Sequence, residues 1–209
     1  MAPHVARDAV WNHITRFLEP YWELNSKSHV LELGTGYGAW IKSIKANQRE
    51  ALDSYPELHQ LFQKNGIKDV AAHVGDCTDL GRWKSETLDL VLASNLLEHL
   101  DHDELNSCIK EIFRILKPGG QLCLVQPNFA LCPKEYFDDY THKTVFTHVS
   151  LSDFVSAHGF QVIKLWKRFL PLTLKSAGSR LTFLVPFYLR SPIKPLAGQM
   201  CLLAQRRDH

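Results

Sequence analysis

The chain has 209 residues, of which 45% are hydrophobic and 22% are charged, as in one ordinary globular domain. This composition excludes a disordered chain, a collagen and a disulfide scaffold. The net charge of +2 hides a segregation, because residues 1–153 carry a net −6 and residues 154–209 a net +8. The body is therefore acidic and the C-terminal part basic.

The five cysteines and eleven histidines are scattered along the chain. The cysteine number is odd and no CxxC pair occurs, which predicts reduced thiols, no metal site and a cytoplasmic location. No apolar leader opens the sequence. The longest strongly apolar run, Leu181–Leu189, contains Pro186 and is shorter than the roughly 20 residues of a membrane-spanning helix.

Hydrophobic periodicity predicts an N-terminal helix and then alternating strands and helices. Val10, Ile14 and Leu18 recur at helical spacing, and Pro20 ends that pattern, so residues 5–18 form a helix within an N-terminal segment 1–28. The predicted strands are 29–33, 49–53, 70–74, 88–93, 121–126, 160–166 and 199–204. The predicted helices between them are 39–46, 56–64, 101–116 and 150–158, with a turn at 117–120 and a capping residue at Ser150.

This alternation predicts an α/β fold, a Rossmann-like open and mostly parallel sheet with helices on both faces, over residues 29–209. Ligands of such sheets bind beyond the carboxyl ends of the strands. The first strand runs into a glycine-rich loop, Glu32–Ala39 (ELGTGYGA). Its glycines fit the dinucleotide pattern GxGxxG/A, so the loop alone does not distinguish a nicotinamide cofactor from S-adenosyl-L-methionine.

Three carboxylates at strand ends help to distinguish between these two candidate cofactors. Glu32 precedes the glycines and suits a cationic ligand, whereas it would repel a pyrophosphate. Asp53 ends the second strand and can accept from both ribose hydroxyls; the short preceding helix leaves Glu50 as the alternative. Asp76 ends the third strand and can accept from an adenine amino group while Cys77 N–H donates to the ring, or it can cap the following turn.

The chain resembles the class I S-adenosylmethionine-dependent methyltransferases in five segments that occur in that family's order. They are Val30–Gly38 (VLELGTGYG), Ala51–Asp53 (ALD), Val74–Asp79 (VGDCTD), Leu88–Leu100 (LDLVLASNLLEHL) and Leu116–Gly120 (LKPGG). The resemblance implies a seven-stranded sheet with an antiparallel last strand and S-adenosyl-L-methionine as cofactor. It also implies the binding residues: Glu32, Gly34, Thr35, Gly36 and Gly38 at the methionine part, Asp53 at the ribose, Asp76 and Cys77 at the adenine, and Ser94 and Asn95 beneath the sulfonium.

A polar and aromatic stretch after the fifth strand, Glu135–His142 (EYFDDYTH), supplies candidates for substrate binding and proton transfer. A methylated hydroxyl is helped by a general base, most often a histidine. We predict His142 as this base, Asp139 as its orienting partner and Tyr140 as a substrate-binding residue. The alternative is an ordinary aromatic loop.

His99, which follows Glu98 after the fourth strand, is a further catalytic candidate; the alternative is that both residues are structural. Methyltransferases of amide or nucleobase nitrogens often carry an Asn/Asp-Pro-Pro-aromatic motif after this strand, where this chain has Ser94–Leu97 (SNLL). This difference favours a small-molecule or saccharide acceptor and O-methylation. A sequence pI of 8.3 is below the value of about 9 typical of a nucleic-acid-binding domain, so no nucleic acid is expected.

An insertion at 167–198 separates the last two strands and combines basic and apolar residues without an acid. This composition is typical of a segment that lies on an anionic membrane, and it would also suit a lipid-linked or phosphorylated substrate. The alternative is that the insertion packs as a subdomain or dimer surface. Alternatives for the whole chain are an NAD-dependent oxidoreductase and a catalytically silent cofactor-binding protein.

Overall fold

Helices and strands alternate in the computed structural model, which describes residues 3–172 and 179–207. The strands are β1 (His29–Leu33), β2 (Gln48–Asp53), β3 (Ala71–Val74), β4 (Leu88–Ser94), β5 (Leu116–Pro127), β6 (Phe160–Trp166) and β7 (Gln199–Arg206). The α-helices are α1 (Pro3–Leu18), α2 (Ala39–Ser43), α3 (Leu58–Lys64), α4 (His102–Ile115), α5 (His148–Ala157) and α6 (Val185–Arg190). No helix in these described parts is long and apolar enough to cross a membrane.

The seven strands form one sheet in the order β3-β2-β1-β4-β5-β7-β6. Strands β1 to β5 are parallel to one another, and β7 is antiparallel to both β5 and β6. This topology confirms the predicted open sheet with an antiparallel last strand. Since β1 to β4 are parallel, their carboxyl ends meet at one edge of the sheet, where the predicted site residues follow.

Two buried apolar layers cover the two faces of the sheet. Successive side chains of a strand point to opposite faces, so Leu31 joins one layer and Val30 the other. The first layer contains buried residues of α4 and α5, including Ile109 and Leu151. The second contains buried residues of α1, α2, α3 and α6, including Leu18. Helices on both faces hold the central strands away from water, as the apolar runs in the sequence predict.

Local capping explains where α4 and α5 begin. The Asp101 side chain accepts from the amides of Asp103 and Glu104, and the Glu104 carboxylate in turn accepts from the Asp101 amide. Helix α5 begins in the same way, but its capping residue is Thr147. The predicted cap, Ser150, is instead the third residue of the helix and hydrogen-bonds to the Thr147 amide. That prediction was wrong because a reciprocal Thr/Ser pair satisfies two amides and moves the helix start upstream.

The turn predicted at 117–120 lies inside β5 as an irregularity of the strand. Leu88 pairs with Leu116, and Leu90 pairs with Gln121, so the extra residues on β5 bulge from the ladder. Gly119 adopts φ 75° there, a conformation that glycine accepts without strain. The local geometry is therefore turn-like, but strand pairing continues on both sides of it.

The insertion at 167–198 packs against the N-terminal helix. Val185 and Leu189 of α6 are buried in the layer that contains Ile14 and Leu18 of α1. A 3-10 helix, Ser179–Leu184, precedes α6. Residues 173–178, with Leu174 and Lys175 of the predicted basic and apolar segment, lie outside the described residues. The division between segment 1–28 and domain 29–209 stays a prediction.

Candidate active site

The loop between β1 and α2 is wound by three glycines with positive φ: Gly34 at 63°, Gly36 at 51° and Gly38 at 70°. The amides of Gly34 and Thr35 donate to the carbonyl of Leu52 at 2.9 and 3.3 Å, which ties the loop to β2. A Cβ at Gly38 would lie 2.6 Å from Ile67 Cδ1. Both the backbone angle and the packing therefore require glycine at position 38.

Glu32, at the base of this loop, is buried with 3% of its surface exposed. Its Oε2 accepts hydrogen bonds from Thr35 Oγ1 at 2.8 Å and from the Ile41 amide at 3.0 Å. Burial raises the pKa of Glu32 to about 8, although these hydrogen bonds favour the charged form. The carboxyl group therefore binds a proton at neutral pH and releases it when a cation is placed beside it.

Asp53 and Asp76 lie at the same sheet edge, each at or just after the end of its strand. Asp53 Oδ2 accepts from the Gly36 amide at 2.7 Å, so the carboxylate is held against the glycine loop. Asp76 Oδ1 accepts from the amide and the hydroxyl of Thr78, both at 2.8 Å. The predicted turn-capping contact of Asp76 is thus present, and the same side chain lines a cavity. Glu50, the alternative to Asp53, lies elsewhere and hydrogen-bonds to His29 and His73.

Two neighbouring cavities run along this edge and share Gly34 and Asn95 in their walls. The first, of about 270 Å³, is lined by Arg7, Trp11, Glu32, Gly34, Thr35, Gly36, Tyr37, Ala39, Trp40, Ser94 and Asn95. The second, of about 370 Å³, is lined by Gly34, Leu52, Asp53, Ser54, Gly75, Asp76, Cys77, Asn95, Leu96, His99, Leu100 and Glu104. With the exception of Gly38, every residue that the resemblance implies for cofactor binding therefore lines one of the two cavities.

Asn95 forms the floor where the two cavities meet. It adopts φ 48°, a region that asparagine tolerates better than most residues. Its amide donates to the Val125 carbonyl at 2.8 Å, and its Oδ1 accepts from Gln199 Nε2 at 3.0 Å. Contacts to β5 and β7 therefore fix this residue from below.

The sequence patterns did not single out the N-terminal helix as part of the site. Arg7 of α1 lies over the Tyr37 ring, with 3.8 Å from its guanidinium carbon to the ring centroid. Its Nη1 is buried and has no hydrogen-bond partner among the described residues. One turn along, Trp11 stacks on Trp40 with 4.6 Å between ring centroids. The only sequence signal was the four-residue spacing of Arg7 and Trp11, which puts both on one helix face.

A second group of side chains lies beside the second cavity and comes from the segments that follow β4 and β5. The rings of His99 and His142 are in edge contact, with 4.9 Å between centroids. His142 Nδ1 hydrogen-bonds to the Tyr136 carbonyl at 2.5 Å. Burial raises the pKa of Tyr136 to about 12, and its hydroxyl donates to the Thr144 carbonyl. Two of the predicted catalytic candidates, His99 and His142, are thus brought together.

Asp139 and Tyr140 are arranged differently from the prediction. Asp139 Oδ1 accepts from the hydroxyl and amide of Thr141, and these hydrogen bonds lower the pKa of Asp139. Thr141 Oγ1 in turn lies 2.9 Å from His99 Nδ1, so Asp139 orients His99 through Thr141. The orienting partner of His142 is the Tyr136 carbonyl, because the chain turns back within one 3-10 helix. Tyr140 is 94% exposed and points to solvent.

Comparison with known proteins identifies this architecture. Residues 31–124 match the model of the methyltransferase domain family. An uncharacterized methyltransferase of Schizosaccharomyces pombe is 32% identical over 115 residues, 54% of this chain and 44% of that protein. A chloroplastic 2-methyl-6-phytyl-1,4-hydroquinone methyltransferase of Oryza sativa is 28% identical over 131 residues, 59% of this chain and 37% of that protein. The chain thus spans less than half the length of these relatives.

The fold also matches solved structures along its whole length. The methyltransferase in complex with the Haloferax volcanii Trm112 methyltransferase activator superposes with a TM-score of 0.72 and 18% identity, over 99% of this chain and 94% of that one. At this identity the match supports the fold alone. The methyltransferase family model covers the segment that contains the glycine loop and strands β2 to β4. Residues 31–124 are thus similar to the methyltransferase domain family, within a fold of the class I S-adenosylmethionine-dependent methyltransferase type.

Proposed function

We propose that the chain transfers a methyl group from S-adenosyl-L-methionine to a hydroxyl of a small molecule or saccharide. The observation that carries this proposal is the pair of cavities that share Gly34 and Asn95, with His99 at the rim of the second. A cofactor that joins an amino acid to a nucleoside needs two such connected compartments. The histidines beside them provide a place where an acceptor can lose a proton.

The first cavity suits the amino-acid end of the cofactor because it contains groups of both charges. The Glu32 carboxyl can receive an ammonium group, and its release of a proton then supplies a full negative charge. Arg7 offers a buried guanidinium nitrogen that has no hydrogen-bond partner among the described residues, which suits a carboxylate. The bare backbone of Gly34 and Gly36 leaves room between them. This arrangement matches a zwitterion better than a pyrophosphate, which Glu32 would repel.

The second cavity suits adenosine. Asp53 can accept from both ribose hydroxyls through its carboxylate, and Asp76 can accept from an exocyclic amino group. The amide of Cys77 can donate to a ring nitrogen. These three residues line one cavity although they follow two different strands. Asn95 lines both cavities and Ser94 lines the first beside it, where the sulfur that links the two ends of the cofactor would lie.

When bound, S-adenosyl-L-methionine supplies an electrophilic methyl group on a sulfonium. The protein then has to align the acceptor oxygen with the S–CH3 bond and receive its proton. A carbonyl oxygen only accepts hydrogen bonds, so the contact with Tyr136 fixes the proton of neutral His142 on Nδ1. The lone pair on Nε2 is then free to accept a proton. We assign His142 as the general base and His99, held through Thr141 and Asp139, as its neighbour at the acceptor.

Cofactor titrations test the first half of the proposal. S-adenosylhomocysteine and NAD are each titrated into the purified chain, and S-adenosylhomocysteine is expected to bind with NAD giving no heat above dilution. Binding of NAD but not of S-adenosylhomocysteine would support the oxidoreductase alternative and refute the proposal. The variant Arg7→Gln is expected to weaken S-adenosylhomocysteine binding about tenfold, the loss of one charged hydrogen bond.

Labelled methyl transfer tests the second half. We expect incorporation from methyl-labelled S-adenosyl-L-methionine into nucleotide-sugar, lipid-linked or small-phenol fractions of a cell extract. The relative named for a phytyl hydroquinone supports a small-molecule acceptor, as does the absence of a Pro-Pro motif after Asn95. Incorporation into nucleic acid or protein instead would overturn the acceptor class. Cofactor binding without transfer to any fraction would support the silent alternative.

We also propose that the insertion touches an anionic membrane from the cytoplasmic side. Phe183, Phe187, Ile193 and Leu196 are 62%, 71%, 77% and 89% exposed, and Arg190 in the same segment is also exposed. Exposed apolar side chains beside cations are typical of segments that lie on anionic lipid. Sedimentation with phosphatidylserine vesicles at low salt should bring the chain down, and Phe187→Ser should weaken this. Equal recovery in the supernatant with and without vesicles would refute the contact.

A further inference from the structure

Three side chains from two separate segments meet beside the second cavity. Glu98 and His99 lie in the 3-10 helix Leu97–His99 that follows β4, and His142 comes from the loop after β5. Each offers one ligand atom, and these atoms all lie within 4.8 Å of one another. A carboxylate and two imidazoles at such separations can close around one small ion.

Backbone hydrogen bonds hold this group together independently of any ligand. The Glu98 carbonyl accepts from the amides of Lys143 and Thr144 at 2.8 and 3.1 Å, which fixes the two segments against each other. The Glu98 side chain is fully buried, and both histidines are partly exposed. A buried carboxylate that faces two imidazoles, with an opening towards a cavity, is an arrangement that a cation stabilises.

One ring nitrogen of each histidine, Nδ1, is engaged in a hydrogen bond that orients the ring. His142 Nδ1 donates to the Tyr136 carbonyl. Thr141 Oγ1 lies 2.5 Å from Asp139 Oδ1 and donates to it, so Thr141 accepts from His99 Nδ1. Both rings therefore carry their proton on Nδ1 and present the Nε2 lone pair. Metal-binding histidines are oriented in the same way, by a carbonyl or a carboxylate on the nitrogen that does not bind the metal.

We propose that Glu98, His99 and His142 form a binding site for a divalent transition-metal ion such as Zn²⁺, Mn²⁺ or Fe²⁺. Two imidazoles and one carboxylate are the ligand set of such ions, whereas Mg²⁺ and Ca²⁺ prefer oxygen ligands alone. Three protein ligands leave further positions for water or an acceptor oxygen. The sequence predicted no metal because 43 residues separate His99 from His142.

The consequence for catalysis rests on the proposed function, whereas ion binding itself does not. An acceptor hydroxyl beside the ion would have a lowered pKa and lose its proton to water. Its oxygen would then form the new O–CH3 bond as the S–CH3 bond breaks, and the sulfur would keep the bonding pair as a neutral thioether. In the metal-loaded protein His142 ligates the ion; in the metal-free protein it accepts the proton directly.

Titration of Co²⁺ into the chelator-treated full chain tests the site. We expect one equivalent to bind, with the visible absorption of Co²⁺ in a nitrogen and oxygen environment, and Zn²⁺ to displace it. His142→Gln and Glu98→Gln should each weaken binding by about 100-fold or more, and Thr141→Val by about tenfold. Absence of stoichiometric binding to the wild-type chain overturns the proposal.

Two control variants keep the result specific. His102→Gln removes an exposed histidine close to the cluster, and Glu50→Gln removes the carboxylate that His29 and His73 contact. Both should bind Co²⁺ as the wild type does; loss of binding in Glu50→Gln but not in Glu98→Gln would also overturn the proposal. Should Glu98→Gln fail to fold, as judged by circular dichroism, His142→Gln still decides.

S-adenosylhomocysteine titrated into the same metal-free sample separates the two proposals. We expect its affinity to be unchanged by removal of the metal, because none of the residues assigned to cofactor binding is a proposed ligand of the ion. If the chain binds Co²⁺ but does not bind S-adenosylhomocysteine and transfers no labelled methyl group, the metal site is supported and the proposed function is refuted. The reverse result would lose the metal site alone.

Discussion

The glycine-loop cavity and the histidine cluster are built in different ways, although they lie side by side. The glycine loop of the first cavity depends on backbone conformation within one strand, loop and helix, residues 29–43, and on the contact of its Gly36 amide with Asp53 of the neighbouring strand. The cluster depends on side chains up to 44 positions apart, which are brought together by backbone contacts between Glu98 and Lys143–Thr144 and by the hydrogen bond between His99 and Thr141. Changes in the first should therefore alter cofactor binding or folding, and changes in the second should alter transfer alone.

The sharpest test of this contrast is His142→Gln. Loss of a general base should lower the rate of methyl transfer by about 10²–10⁴-fold, measured with an acceptor from the labelled screen. S-adenosylhomocysteine affinity should stay within about twofold, since His142 lines neither cofactor cavity. His158→Gln is the matched control, because His158 Nδ1 also contacts a carbonyl, that of Phe154. If His142→Gln lowered cofactor affinity as much as it lowered the transfer rate, the cluster and the cofactor cavities would not have separate roles.

Gly38→Ala should destabilise the fold, because position 38 of the glycine loop has a left-handed backbone conformation and no room for a Cβ. The left-handed conformation costs about 1–2 kcal/mol for a residue with a Cβ, and overpacking against buried Ile67 and Phe62 costs about 1–3 kcal/mol more. Urea unfolding should therefore show a loss of roughly 2–5 kcal/mol in the free energy of unfolding. A Cβ at Gly36 would have no atom within 4 Å, so Gly36→Ala should lose only the about 1–2 kcal/mol of the left-handed conformation. Equal losses would mean that packing at position 38 contributes nothing.

Asp53→Ala should weaken cofactor binding without a comparable effect on folding. The loss of hydrogen bonds from a carboxylate to two hydroxyls costs about 1.5–3 kcal/mol, or roughly 10–100-fold in the S-adenosylhomocysteine dissociation constant. Asp69 precedes β3 at the opposite edge of the sheet and pairs with Arg49, so Asp69→Ala is the control. Unchanged affinity in Asp53→Ala would refute the ribose role.

Glu32 should make cofactor affinity depend on pH. In the free protein the raised pKa of about 8 keeps the carboxyl protonated at pH 7, and an ammonium group favours the carboxylate. Binding therefore releases a proton, and affinity should rise by at most about tenfold between pH 7 and 8. Glu32→Gln cannot release that proton, so its affinity should be flat over this range. Calorimetric titration of S-adenosylhomocysteine at both pH values measures this effect. If the affinity of Glu32→Gln changed with pH as much as that of the wild type, Glu32 would not be the group that releases the proton.

Glu32 should affect the stability of the cofactor-free fold in the opposite direction to cofactor affinity: stability should fall as the pH rises. A carboxyl group with a raised pKa in the folded state stabilises the fold most below the pKa of the unfolded chain, near 4.5. This stabilisation is lost as the pH rises through about 8. The cofactor-free protein should therefore have a lower urea midpoint at pH 8.5 than at pH 6.5, and Glu32→Gln should reduce this difference.

Most of the fold could be read from hydrophobic periodicity. Strand β1 and strand β6 have the predicted bounds, and the buried run of β4 was extended only by Ser94. The errors fell where a local pattern has two solutions. The 117–120 stretch has the residues of a turn but lies within β5, and Ser150 is a good cap that Thr147 displaced. Pairing with a neighbouring strand and a reciprocal cap decided these cases.

Local sequence patterns predict the order of strands and helices, the glycine loop and the carboxylates at the ends of β1, β2 and β3. These features are local, because the conformation of glycine and the alternation of apolar residues act within a few positions. Two features became visible only in the three-dimensional structure: Arg7 of α1 lies against the glycine loop, and Glu98, His99 and His142 lie close together. Such contacts depend on how distant segments pack, and no spacing within the chain encodes them.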